Sequence, residues 1–314
     1  MEFIKVINTQ KIRHVEMRIG NVCNFDCSFC HSDFKDGSRR PLSLDLYKRT
    51  ISNLLDDSNI PTLITIQGGE PTLYAQLEEF LKFIKSKGGY IQLFSNGSRT
   101  IRWWSEFLPK KLIDRLIITH HPEQNADPDH TATVLNMAKE LLPDVTCSVT
   151  IVRSVFDKSL AHADKIKSQV SNLEVTIIPV IHAELFYDIH QVYTVEELEI
   201  IKNKNTGFLS EGYVVKTFFG STICQESTGQ WHKRYGQAMQ ILNENKFKGW
   251  ECDAGIYRIV IETDEAYKAM CRVDGVIGKV SDGNIKYSDK PTVCQIEDCF
   301  CGADITIPKR KMSN

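Results

Sequence analysis

The sequence contains no apolar run that approaches the ~20 residues needed to cross a bilayer. Its opening residues, Met1-Glu2-Phe3-Ile4-Lys5, hold no hydrophobic stretch of the kind that directs a chain to export. Both absences set the expectation of a cytoplasmic protein with no membrane partner. Net charge is scarce as well: 38 Lys and Arg against 40 Asp and Glu leave −2. That balance provides no overall field to draw nucleic acid or an anionic surface, so nucleic acid is not an expected partner. The basic run Lys309-Arg310-Lys311 is short and reads as part of a flexible tail over 306–314. No internal repeat or low-complexity segment interrupts the chain. Its 314 residues, 42% hydrophobic and 25% charged, suit a soluble globular protein of one large or two ordinary domains.

Cysteine is not scarce. There are ten, and in a reducing compartment they point to metal ligation rather than to a disulfide framework. Cys23, Cys27 and Cys30 form one group. Cys252, Cys271, Cys294, Cys299 and Cys301 form another. Cys147 and Cys224 stand apart.

The first 180 residues alternate between the two periodicities that mark strands and helices. Strands are expected at 14–19, 63–67, 90–95, within 112–119, at 145–152 and at 174–181. Between them run helices that open at Ser43, Leu77, Arg102, Asp129 and Ser159, with Asp129 as a cap and Gly88-Gly89 as a stop. Strands that alternate with helices imply parallel βα units. The expected fold is α/β: a partial (β/α)6 barrel over 12–182, with a small C-terminal domain rich in β-hairpins over 249–305. Residues 183–248 break the pattern and read as a bridge that contacts substrate. It has a capping box at Thr194 and Glu197 and a strand at 213–219. Chemistry in such sheets gathers at the C-terminal ends of the strands. The cysteine triplet, Gly68-Gly69-Glu70-Pro71, Ser95-Asn96-Gly97 and His120-His121-Pro122-Glu123 all follow strands and share that rim. Alternation points Glu16, Arg18, Thr65, Gln67 and Thr150 inward and makes Cys147 a core residue.

Three thiolates spaced C-x3-C-x2-C on one loop can ligate three irons of a cubane cluster and leave the fourth iron open. Zinc completed by His31 is the competing reading, although structural zinc usually takes paired knuckles. With Phe29 before the last cysteine, the loop resembles that of the radical S-adenosylmethionine (SAM) superfamily. The resemblance implies a [4Fe–4S] cluster on Cys23, Cys27 and Cys30 whose open iron is chelated by SAM. One electron from that cluster then cleaves SAM to methionine and a 5′-deoxyadenosyl radical, which abstracts hydrogen from a substrate. An external donor such as flavodoxin or ferredoxin is implied too. Gly68, Gly69, Glu70 and Pro71 resemble the family's GGEP motif at the SAM amino group. Ser95 and Asn96 resemble its ribose- or carboxylate-contacting pair. Thr150, with Val180 or His182, is expected to complete the adenosine pocket. His120, His121 and Glu123 are further rim candidates.

The second cysteine group lies among expected hairpins at 256–261 with 267–270, and at 276–280 with 284–287 around Asp282-Gly283. It resembles the twitch or SPASM-like extension of radical SAM enzymes, with fewer cysteines than a full SPASM series. One auxiliary iron–sulfur cluster is expected on Cys252, Cys271, Cys294 and either Cys299 or Cys301, with structural zinc as its rival. Cys224 is a candidate hydrogen donor to a substrate radical, or simply a packed thiol.

The expected function is therefore hydrogen abstraction by a radical SAM enzyme with an oxidative outcome. Its substrate is a peptide or natural-product precursor, or a small polar metabolite. Few residues precede the first expected strand, which leaves no room for an N-terminal peptide-binding domain and brings a small polar metabolite, sugar or nucleotide derivative level with a peptide. The alternatives are an RNA- or nucleotide-modifying radical SAM enzyme and, in another class, a non-catalytic zinc-binding regulatory protein.

Overall fold

The computed structural model describes residues 2–56, 60–180, 189–205 and 222–312. The chain divides into two compact units. One is Met17–Leu44 with Ile64–Lys204, and the other is Met1–Glu16, Asp45–Leu63 and Asn205–Asn314. The architecture is mixed α/β. Two strands open it, β1 (Phe3–Asn8) and β2 (Arg13–Arg18), and the chain passes between units within β2.

In the first of these units, β3 (Thr62–Gln67), β4 (Tyr90–Ser95), β5 (Arg115–His120), β6 (Asp144–Ile151) and β7 (Val175–Pro179) lie side by side in chain order. The pairs from β4 to β7 are parallel. Helices connect them: α2 (Leu77–Ser86), α3 (Ile101–Phe107), α4 (Pro128–Leu141) and α5 (Phe156–Gln169); α1 (Leu44–Asp56) precedes β3 in the chain and belongs from Asp45 on to the other unit. In β5, Leu116, Ile117 and Ile118 are all buried, the continuous apolar run of a strand covered on both faces. Helix α2 buries Leu77, Phe80, Leu81 and Ile84, spaced to form one stripe. It ends where Gly88 adopts φ +79°, which a side chain would resist. Helix α4 starts one residue earlier than its expected Asp129 cap. Pro128 takes the first helical position, and Asp127 Oδ1 accepts the Asp129 N–H at 3.0 Å. The expected box at α6 (Val195–Lys204) is present. Glu197 N donates to Thr194 Oγ1 at 3.1 Å, and Thr194 N donates to Glu197 Oε2 at 2.7 Å. Cys147 is wholly buried, as alternation along β6 predicts.

The other unit holds a six-stranded sheet in the order β14 (Thr292–Val293), β10 (Glu251–Cys252), β15 (Lys309–Arg310), β1, β8 (Thr222–Glu226), β9 (Trp231–Arg234). Its neighbours pair antiparallel. A second ladder runs β11 (Arg258–Glu262), β12 (Glu265–Tyr267), β13 (Val276–Lys279). Three expectations change here. Residues 284–287 form no strand: Asn284 Oδ1 accepts the Lys279 N–H at 2.9 Å and closes a turn, so β13 pairs with β12 instead. The stretch expected as a flexible tail supplies β15, with Lys309 only 3% exposed. Strand β1 is additional, ahead of the first expected strand. Glu16, expected to line a cavity, is buried against Arg258 Nη2. The expected strand at 213–219 and His182 lie outside the described residues.

Candidate active site

The cysteine loop begins where β2 ends, and Asn21 closes its base. The Asn21 side-chain amide donates to Asp33 O at 2.8 Å, and its oxygen accepts the Arg39 N–H at 2.9 Å. Within the loop, Cys27 is buried while Cys23 and Cys30 are partly exposed. Burial pushes the Cys27 thiol up to about 12, with Glu123 and then Cys23 and Cys30 adding negative charge nearby. Burial also raises Cys23 and Cys30; Glu70 adds negative charge beside Cys23, and Cys23 does so beside Cys30. The three sulfurs therefore occupy one electrostatic neighbourhood, and each would lose its proton only to a strong cation. The Phe25 N–H donates to Cys23 Sγ at 3.4 Å. Lys35 Nζ donates to the Cys27 carbonyl at 2.7 Å and reaches Asp26 at 2.6 Å.

The Gly68-Gly69 turn packs directly on this loop's entry. A Cβ on Gly69 would stand 2.1 Å from the Val22 carbonyl oxygen, and one on Gly68 2.7 Å from that of Gly20. Both positions have positive φ, so glycine is required for shape and for conformation. Glu70 N then donates to Val22 O at 2.8 Å. The Glu70 carboxylate is buried and accepts four bonds. Thr72 N (3.1 Å), Thr72 Oγ1 (2.6 Å) and Ser95 Oγ (2.8 Å) bind one oxygen, and Asn96 N (2.7 Å) binds the other. A carboxylate offers about four acceptor sites, so this one is spent on holding the two motif turns together. Asn96 Nδ2 continues the chain of bonds to Asn24 Oδ1 at 3.0 Å, and Asn24 Nδ2 donates to Ser98 Oγ at 2.9 Å. All three motif loops thus join in one network. A cavity of about 460 Å³ borders it, lined by Gly68, Glu70, Pro71 and Tyr74 on one side and by Gly20 and Arg40–Ser43 on another. That volume is in the range of small-molecule sites.

The fourth rim segment clamps the cysteine loop from its other side. Glu123 Oε2 accepts the Ser28 N–H and Gln124 Oε1 the Asp26 N–H, both at 3.0 Å. His121 Nδ1 lies 3.4 Å from Cys27 Sγ, and its ring stacks on Phe29 at 5.8 Å and meets Phe25 edge-on at 5.7 Å. Burial lowers His121 to about 4, so the ring is neutral at pH 7. His120 points elsewhere: it bonds Thr131 Oγ1 at 2.8 Å and His162 Nδ1 at 2.9 Å, and is a buried core histidine. Thr150 is buried and donates to the His120 carbonyl at 3.2 Å. Val180 N meets Ile151 O at 3.1 Å, and the Tyr193 hydroxyl lies between these two chain ends. His31 Nδ1 accepts the Asp33 N–H at 3.1 Å and so caps the short turn Ser32–Phe34. Among the described residues, no three His, Cys, Asp or Glu donors converge on one ion position. Asn24 and Gln124 carry no motif and were not singled out from sequence. Their roles arise across separations of 72 and 98 residues.

In the other unit, Cys252 packs with Cys271, and Cys299 with Cys294. Burial raises Cys252, holds Cys271 up at about 11 and Cys301 at about 12, and lifts Cys299 well above its ordinary value. Cys252 and Cys271 each feel the Cys294 sulfur, and Cys299 feels Cys252 and Cys301. These thiols thus pack in two groups whose members feel one another's charge. Cys224 is wholly buried on Met239, with its sulfur 3.9 Å from the Met239 sulfur, the position of a packed thiol rather than of an accessible hydrogen donor.

Residues 17–163 match the family model of the Radical SAM superfamily. A Methanocaldococcus jannaschii protein assigned as a glycyl-radical enzyme activating enzyme is 36% identical over 75 residues, 24% of this chain and 28% of the relative. A Pyrobaculum aerophilum protein assigned as a GTP 3′,8-cyclase is 26% identical over 149 residues, 46% of this chain and 44% of the relative. The chain thus spans less than half the length of either curated relative. Among solved structures, anSMEcpe with bound AdoMet superposes with TM-score 0.58 at 14% identity, covering 87% of this chain and 79% of that one. Streptococcus suis SuiB gives 0.55 at 11% identity over 89% and 66%. At these identities the likeness is one of fold. Residues 17–163, on the fold these structures share, form a radical SAM superfamily domain.

Proposed function

We propose that the chain is a radical SAM enzyme that reductively cleaves SAM beside Cys23, Cys27 and Cys30 and abstracts hydrogen from its substrate. Members of the superfamily are enzymes, and the family implies a [4Fe–4S] cluster with SAM. The observation that carries the reading is the Glu70 network, which ties the cysteine loop, the Gly68–Pro71 turn and the Ser95-Asn96 turn into a single constellation.

Cys23, Cys27 and Cys30 would hold the cluster. When bound, the cluster supplies one electron to SAM, and SAM supplies the 5′-deoxyadenosyl radical. The chain's own residues set the stage. Gly68 and Gly69 let the backbone approach closely, and Glu70 fixes where that backbone points. Phe29 and the neutral His121 stack on each other beside Cys27, whose sulfur is the buried one of the three. The second cysteine group would hold an auxiliary centre able to accept an electron from a substrate radical, which favours an oxidative outcome. An external flavodoxin or ferredoxin would supply the reducing equivalent. A peptide substrate gains support from the peptide-bound states of anSMEcpe, such as its complex with AdoMet and Cp18Cys peptide.

Anaerobically reconstituted protein, reduced and given SAM, is expected to release 5′-deoxyadenosine. Cys27→Ala is expected to abolish that release while iron persists at the second group. Zinc in place of iron at the first group, with no 5′-deoxyadenosine from reconstituted protein, would sink the reading.

A further inference from the structure

We infer that Lys309 is the built-in counter-cation of a four-thiolate centre formed by Cys252, Cys271, Cys294 and Cys299, with Cys301 outside the ligand set. The inference rests on the proposal that the second cysteine group holds a metal centre, and it names the ligands and the residue that tunes them.

Lys309 lies on β15 directly opposite Cys252 of β10, and residues so paired project their side chains to the same face. It is 3% exposed. Its ammonium donates to the Asp304 carbonyl oxygen at 2.8 Å and sits 4.3 Å from the centre of the Phe247 ring. Neither contact supplies a full negative charge. The Asp304 carboxylate is directed instead at Arg258, whose Nε it meets at 2.6 Å. A buried ammonium held by a carbonyl and a ring face is costly until an anion answers it. Its charge acts on the sulfurs of Cys252 and Cys299, the anions that metal binding would create.

The loop that carries the Phe247 ring also fixes two of the sulfurs. Cys294 N donates to Trp250 O at 2.8 Å, and its carbonyl accepts the Gly249 N–H at 2.8 Å. Cys299 N donates to Asn245 O at 3.0 Å, and its carbonyl accepts from Asn245 Nδ2 at 3.1 Å. Cys301 has other surroundings. It caps the short helix Gly302–Ile305 and lies in the field of Asp304, Arg258 and Glu16, where two carboxylates face one guanidinium. Cys299 packs instead, with Cys294, in the group around Phe247, the ring that Lys309 faces.

A cation beside a cluster favours its reduced, more negative form and raises the reduction potential. The test uses the full chain with Cys23, Cys27 and Cys30 replaced by Ala, so that only the second group can hold a cluster. After anaerobic reconstitution, iron and sulfide are assayed and the potential is followed by EPR. Lys309→Met is expected to disfavour reduction by at least tenfold, a downward shift of about 59 mV for one electron. Lys309→Arg should hold the parent potential. Lys309→Gln keeps a donor for the Asp304 carbonyl without the charge, so it reports the same shift if the Met variant fails to fold. Cys299→Ala should lose the cluster iron, and Cys301→Ala should keep it. Full iron with an unmoved potential in both neutral variants overturns the role of Lys309. Loss of iron from Cys301→Ala but not from Cys299→Ala overturns the ligand set. No iron in the parent triple-alanine protein fails the auxiliary-cluster reading itself.

Discussion

At the scale of single residues, the site separates chemistry from its support. Cys23, Cys27, Cys30 and the Gly68–Pro71 turn were readable because each carries a rare chemical type at a fixed local spacing. The role of Glu70 was readable only in part. Sequence placed a negative charge near a ligand ammonium; the structure adds that the carboxylate accepts from Thr72, Ser95 and Asn96. Glu70→Gln tests the difference. The amide replaces one acceptor by a donor, so at least one of the buried N–H or O–H groups loses its partner. The expected cost is about 2–4 kcal/mol of stability, from a charge-assisted bond lost and a buried donor left unpaired. Thermal melting should fall accordingly, and 5′-deoxyadenosine release should fall with it. A variant with unchanged melting that loses only SAM affinity would assign Glu70 to the ligand instead. Asn24, His121, Glu123 and Gln124 show why the supporting residues were harder to read. Polar residues on loops are common, and only the folded sheet brings 121–124 onto 23–30.

At the scale of elements, the alternation of strand and helix was legible through α5 because parallel strands leave apolar runs and their helices leave stripes. What misled were local rules competing at one position, as at α4, where Pro128 moved the cap from Asp129 to Asp127. The opposite ends of the strands carry a different kind of information. Arg115 at the start of β5 meets Asp144 at the start of β6, with Glu174 just ahead of β7. One guanidinium faces two carboxylates. Burial, outweighing Arg115 and aided by Asp144, raises Glu174 from 4.5 to about 7. Below its unfolded value Glu174 is protonated in both states. As pH rises from 4.5 toward 7 the unfolded chain releases the proton first, so stability falls across that window and stays lower above it. Glu174→Gln removes the ionisation. Its melting temperature is expected to exceed the parent's at about pH 8 and to converge with it near about pH 4.5. A constant difference across that range would place the effect in packing rather than in charge.

At the scale of the whole molecule, the sequence divides by what is local and what is not. The motif-bearing unit is a string of neighbours in chain order, so reading along the chain nearly reads the sheet. The other unit is assembled from three separate stretches, and its sheet order follows no sequence order. Strand β1 and the short β15 gave no usable signal, because Lys309-Arg310-Lys311 looks like a solvated run until Lys309 is seen between β10 and β1. That placement makes β15 essential to the unit. It pairs with β1 through Val6 and Lys5, and with β10 through Cys252 and Glu251, so without it the remaining five strands separate into two groups. Removing residues 308–314 also removes Lys309 from beside Cys252. The shortened chain is therefore expected to lose the metal proposed for the second cysteine group and to expose β1 and β10 to protease, while the iron proposed for Cys23, Cys27 and Cys30 is still taken up, because the Asn21, Asn24, Glu70 and Gln124 bonds all lie within the motif-bearing unit. Iron per chain and the sites of limited proteolysis read both effects together. Retention of the full iron content with β1 uncut would mean that β15 closes the sheet without holding it.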